Sequence, residues 1–125
     1  MIVISGADKV NFREYDKVYY ITVVPPDMVL PEEHHFPELA PPEGLFWQYR
    51  KKQIPVETLL NTYGQMLWSG KYSEAINNIM QLSNSGAWIQ LVCYCKDYTK
   101  CHRYVLYKYL CTLTDKVILL DEVAA

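Results

Sequence analysis

The stretch AWIQLVCYCKDYTKCHRYVLYKYLCTLTDKVILLDE, residues 87–122, decides the fold. Its opening, AWIQLVCY (87–94), is an apolar run interrupted only by Gln90, the pattern of a buried parallel strand covered on both faces. From Cys101 to Leu113, the leucines at 106, 110 and 113 return at helical spacing, and KVILLDE (116–122) reads as a further strand. Strand, turn, helix and strand within about 35 residues make a βαβ unit, whose crossover is right-handed almost without exception.

Upstream, PVETLLNTYGQMLWSG (55–70) sets Val56, Leu59, Leu60, Tyr63, Met66 and Leu67 on one helical face, between Pro55 and Gly70. YSEAINNIMQL (72–82) repeats the pattern with Tyr72, Ala75, Ile76, Ile79 and Met80, and stops at the breakers SNSG. Residues 1–4 and KVYYITVV (17–24) are β-branched and aromatic and read as strands. Six of the seven prolines fall between Pro25 and Pro42, where the hydrophobes keep no period, so 25–54 reads as an irregular segment covering the site. With 125 residues, half of them hydrophobic, the chain suits one α/β domain spanning 1–125, with a mostly parallel sheet and flanking helices.

A formal net charge of −2 gives no broad attraction for nucleic acid or an acidic membrane, so neither is an expected partner and any anion site must be local. MIVISGADKV turns polar after four residues, too short for a signal-peptide core and far below the roughly 20 residues of a spanning helix. A cytoplasmic protein is expected. In a reducing compartment Cys93, Cys95, Cys101 and Cys111 are free thiols, ligands or catalytic groups rather than a disulfide framework.

Ligands of open α/β sheets bind beyond the carboxyl ends of strands, where residues 93–103 fall. The first turn of the following helix offers unpaired N–H groups, and Lys96, Lys100 and Arg103 add positive charge against Asp97 alone. Tyr94 and Tyr98 supply rings that stack on a base or a nicotinamide-like ring. Cys101, at a helix start beside cations, is the best-placed nucleophile. A phosphatase-like or rhodanese-like loop would put five residues between cysteine and arginine, whereas seven separate Cys95 from Arg103. Zinc accepts Cys93, Cys95, Cys101 and His102, yet structural sites space their cysteine pairs by two to four residues, which these do not match. No metal or cofactor is expected on that ground. Cys93 and Cys111 serve as small hydrophobes, and His34 and His35 as exposed loop residues, with His35 reaching the pocket if the proline-rich segment folds over it.

LVCYCKDYTKCHRYVLYKYL (91–110), with its Cys-His-Arg triplet opening a helix, resembles the C-terminal signature of the domain-of-unknown-function 488 proteins. PELAPPEGLFWQYRKKQIPVETLLNTYGQML (37–67) is similar to that family's Leu-Ala-Pro segment and tyrosine-bearing helix, and the first 23 residues suit its first strands. The resemblance implies a small Rossmann-like fold with Cys93, Cys101, His102 and Arg103 at the matching site positions. It also implies a Glu where this chain has Cys95, and the missing carboxylate favours binding over turnover. The expected function is therefore a pocket for a nucleotide-like or other phosphate-bearing small molecule, as a sensor or sequestering protein, with Arg103 clamping phosphate. Two alternatives stand beside it. One is an enzyme with Cys101 as nucleophile and His102 as acid or base; the other is an interaction module in which Phe46, Trp47 and Trp68 contact a partner or a second copy, giving a homo-oligomer.

Overall fold

The structure, a computed structural model describing residues 1–26 and 32–123, is built on a four-stranded parallel sheet. Its strands β1 (Ile2–Gly6), β2 (Lys17–Tyr20), β3 (Ile89–Cys93) and β4 (Val117–Leu119) lie in the order β2-β3-β1-β4. β3 is flanked by β1, in register from Ile2↔Ile89 to Gly6↔Cys93, and by β2, from Lys17↔Ile89 to Tyr20↔Val92. With both edges hydrogen-bonded and both faces covered, every residue of β3 is buried, as its composition requires.

Alternate side chains divide between the two faces. Ile2, Ile4, Ile89, Leu91, Val117 and Leu119 enter the main core. There they meet Leu67, Ile76, Ile79, Leu106 and Leu110 from the helices α2 (Val56–Trp68), α3 (Ser73–Asn84) and α4 (His102–Cys111). On the other face Val18, Tyr20 and Val92 pack with Ala7, Val10 and Tyr15 of the connection between β1 and β2. Gln90, the interruption in the apolar run, pegs that connection in place. Its Nε2 donates to Ser5 Oγ and to the Lys9 carbonyl, and its Oε1 accepts from the Asn11 N–H, all at 2.9 Å.

Several expected boundaries shift for physical reasons. β2 ends at Tyr20 rather than residue 24: Ile21 N still bonds the Val92 carbonyl, but the chain then turns away at Val23. KVILLDE is not one strand, since β4 stops at Leu119 and Leu120–Val123 coil into α5. α4 ends at Cys111, which leaves Leu113 exposed instead of extending the leucine stripe. The segment 25–54 also contains a helix, α1 (Glu43–Arg50), entered from Pro42. None of its residues is buried, so it left no apolar stripe to read. Of the rest of that segment, residues 27–31 lie outside the described residues. Its next part is tied down by two buried tyrosines: Tyr63 Oη donates to the Leu39 carbonyl at 2.6 Å and Tyr72 Oη to the Ala40 carbonyl at 2.8 Å. Among the described residues, no helix is long and apolar enough to cross a membrane.

Candidate functional site

The carboxyl ends of β1 and β3 lie side by side, Gly6 against Cys93, and the chain then runs through 94–101 into α4. Asp97 shapes this turn by accepting from Thr99 N at 3.1 Å and Thr99 Oγ1 at 2.6 Å. A cavity of about 520 Å³ opens here. Cys93, Cys95 and His102 line it where strand gives way to helix, and Phe46, Trp47 and Tyr49 of α1 line it together with Tyr94. Among the described residues, Arg50, Lys96 and Lys100 bring three cations to it, and Asp97 a single acid. A second cavity of about 460 Å³ is bounded by Val23, Pro37, Ala40, Met66 and Tyr72; among the described residues its charged lining is Lys71 and Glu43, with no thiol or imidazole.

The thiols gather beside the larger cavity. Cys93 Sγ lies 3.0 Å from Cys101 Sγ and 3.9 Å from Cys95 Sγ, and all three sulfurs are within 4.8 Å of one another. His102 Nε2 is 2.6 Å from the Ile21 carbonyl. A carbonyl only accepts, so Nε2 carries the proton and Nδ1 of the neutral ring is left as an acceptor. Nδ1 faces the sulfurs, 3.7 Å from Cys93 and 3.9 Å from Cys101.

The cluster ionises as a unit. Hydrogen bonding to Cys101 pushes the Cys93 thiol up to about 12, with burial adding to the effect. The same bonds, from Cys101 and then Cys93, raise Cys95 as well. Cys101 is lowered, first by its hydrogen bonds from Cys93 and Cys95 and then by His102, against the opposing effect of burial. Burial works to lower His102, but its hydrogen bond and charge interaction with Cys101 outweigh it and the net shift is upward. These shifts favour ionisation of Cys101 ahead of Cys93 and Cys95.

Arg103 does not face the cavity as expected. It is 1% exposed and its fork closes on α5: Nη2 donates to Asp121 Oδ2 at 2.9 Å and Nε to Oδ1 at 3.3 Å. Nη1 donates to the Cys95 carbonyl at 2.8 Å. A phosphate clamp needs a guanidinium with open donors, and this one is spent on an internal carboxylate. A Cβ at Gly6 would make ordinary contact with Nη2 at 3.5 Å but would stand only 2.7 Å from Asp8 Oδ1. The partner is hidden in sequence because KVILLDE has the pattern of one strand, whereas α5 turns Asp121 back to Arg103.

Of the other expected site residues, Lys96, Lys100, Tyr94, Cys93 and His102 do line the cavity. Cys101 lies behind Cys93 at 1% exposure. Tyr98 instead packs edge-on against Tyr104, with ring centres 5.3 Å apart. His34 and His35 are not an exposed pair. Both are half-buried, with His34 Nδ1 2.9 Å from the Val18 carbonyl and His35 Nε2 2.7 Å from the Thr22 carbonyl, so they fasten the proline-rich segment to β2 and its extension. Phe46 and Trp47 belong to the cavity wall, while Trp68 packs against Tyr109. The residue that sequence reasoning missed is Arg50, whose signal was concealed with the rest of α1.

A small Rossmann-like domain carrying a thiol–imidazole cluster at the carboxyl ends of its central strands is the class that fold and site define. The chain belongs to the DUF488 family: the family model described as the active DUF488-N3 subclade matches residues 12–113. No curated protein and no solved structure gives a match.

Proposed function

We propose that the cavity above Cys93 and His102 binds a nucleotide-like or other phosphate-bearing small molecule, and that the protein acts as an intracellular sensor of that molecule or sequesters it. The observation that carries this reading is the meeting of Arg50, Lys96 and Lys100 with four aromatic rings in one cavity, on a chain whose formal net charge is −2. Its volume of about 520 Å³ falls within the span of small-molecule sites. Cations that converge on a lined hollow, rather than spreading over the surface, suit a compact anion, and the rings suit a flat base beside it. Arg50 takes the bidentate role first expected of Arg103, and Tyr94, Trp47 and Tyr49 contact the ring.

Titration calorimetry with nucleoside mono-, di- and triphosphates tests this. Arg50→Ala and Lys100→Ala, both exposed positions, each weaken binding about 10-fold or more through loss of a charge-assisted contact. Affinities unchanged by both substitutions would remove the phosphate from this end of the cavity.

The pairing of Cys101 with His102 favours a second reading, a cysteine-dependent enzyme acting on a nucleotide-like or phosphorylated substrate. Cys101 would be its nucleophile and His102 its acid or base. At 1% exposure the Cys101 sulfur is shielded behind Cys93. Rapid alkylation of Cys101 by iodoacetamide at neutral pH would support the enzyme, and slow alkylation supports binding alone.

A further inference from the structure

Spacing along the chain argued against a metal, because Cys93 and Cys95 are separated by one residue and Cys101 and His102 by none. Folding overrides that argument. Cys93 ends a strand, Cys95 sits in the turn, and Cys101 and His102 open the returning helix, so four donors from three local structures meet in space. The sulfurs lie within 4.8 Å of one another, and His102 Nδ1 is 3.7 and 3.9 Å from two of them.

A tetrahedral ion with metal–sulfur bonds of ~2.3 Å sets neighbouring donors roughly 3.5–3.8 Å apart. The 3.9 Å Cys93–Cys95 distance and the 3.7 and 3.9 Å His102 distances lie near that span, whereas binding the ion must widen the 3.0 Å Cys93–Cys101 contact and draw the imidazole, which stands outside the 4.8 Å sulfur group, toward Cys95. The imidazole carries an independent sign. A ligating histidine usually donates its other ring N–H to a backbone carbonyl or carboxylate, which fixes the ring and its tautomer. His102 does this at 2.6 Å to Ile21, and the nitrogen left as acceptor is the one aimed at the sulfurs.

We propose that Cys93 Sγ, Cys95 Sγ, Cys101 Sγ and His102 Nδ1 form a tetrahedral site for one zinc ion at the edge of the cavity. Three thiolates and one imidazole are a donor set that zinc takes in closed, structural sites. Thiol protons leave to solvent as the ion binds, and the ion then ties the end of β3 and the turn at 94–100 to the start of α4. The proposal does not depend on the nucleotide reading, because neither Arg50 nor Lys100 takes part.

The test uses the full chain, purified under reducing conditions, stripped with a chelator and titrated with cobalt(II) as a spectroscopic stand-in for zinc. Expected are intense visible bands of tetrahedral cobalt and near-ultraviolet thiolate-to-cobalt charge transfer, saturating at one equivalent and abolished by zinc. Cys95→Ser, at an exposed side chain, lowers affinity by more than the roughly 10- to 100-fold that follows loss of a supporting partner. Cys111→Ser, on an exposed thiol elsewhere on α4, leaves affinity unchanged. Circular dichroism of each metal-free variant separates loss of a ligand from loss of fold. X-ray absorption of the zinc form should give three sulfurs and one nitrogen in the first shell. Absence of stoichiometric tetrahedral cobalt in correctly folded wild type, or a spectrum that Cys95→Ser does not alter, overturns the proposal. As no nucleotide is present, either result leaves the ligand reading to its own experiment.

Discussion

A guanidinium that is 1% exposed must find partners for its donors within the protein, and Arg103 finds them in both oxygens of Asp121 and in the Cys95 carbonyl. It is a positioning residue: it holds the turn carrying Cys95 and Lys96 against α5. Arg103→Ala strands a partly buried carboxylate, and urea denaturation should register a loss of about 3 kcal/mol. Arg103→Lys keeps the charge but not the fork and should recover only part of that loss. A stability change within error for Arg103→Ala would mean that the pair is not formed in solution. The tyrosines that fasten the proline-rich segment give a pH signature at the same scale. Burial raises Tyr72 from 10.0 to about 12, so the folded state holds a proton that the unfolded chain releases above pH 10.0. Its contribution is fully present below pH 10.0 and declines as pH rises toward about 12, by up to about 1.4 kcal/mol per pH unit. Chemical denaturation from pH 9 to 12 should show a shallower alkaline decline in Tyr72→Phe than in wild type, and equal slopes would refute the assignment.

Elements with a buried periodic face were legible from residues alone. α2 buries Leu59, Tyr63 and Leu67, and α3 buries Ala75, Ile76 and Ile79, all on the stripes that their spacing foretold. β3 was legible as a wholly buried strand, but the reason for Gln90 was not, since its partners Ser5, Lys9 and Asn11 are about eighty positions away. Gln90→Leu keeps the apolar run yet orphans those three groups. It should cost about 2 kcal/mol and raise amide exchange specifically at Asn11, which hydrogen-exchange mass spectrometry can resolve. α1 was invisible because it buries nothing, and the same fact bears on its dynamics. Its amides should exchange far faster than those of β1 and β3, and slow more than theirs when a ligand fills the cavity. Equal protection of α1 and β3 in the free protein would contradict that picture.

At the scale of the molecule, the parallel βαβ core and the position of the cavity could be inferred because strand and helix patterns are local and hollows of such folds lie at strand carboxyl ends. Which charge faces the cavity could not, because that depends on one bend: α5 brings Asp121 to Arg103, and Arg50 on α1 takes the open position instead. The convergence of three cysteines, with a histidine beside two of them, was likewise beyond a rule about spacing, since it arises from a strand end and a helix start packed together. The most direct measurement is native mass spectrometry of the chain purified from cells under reducing conditions, followed by denaturing extraction and a titration with nucleoside phosphates. The predicted result is a one-to-one adduct that yields a phosphate-bearing aromatic metabolite on denaturation, with its affinity reduced by Arg50→Ala. A chain that carries no such adduct and binds no nucleoside phosphate at millimolar concentration would contradict the central claim.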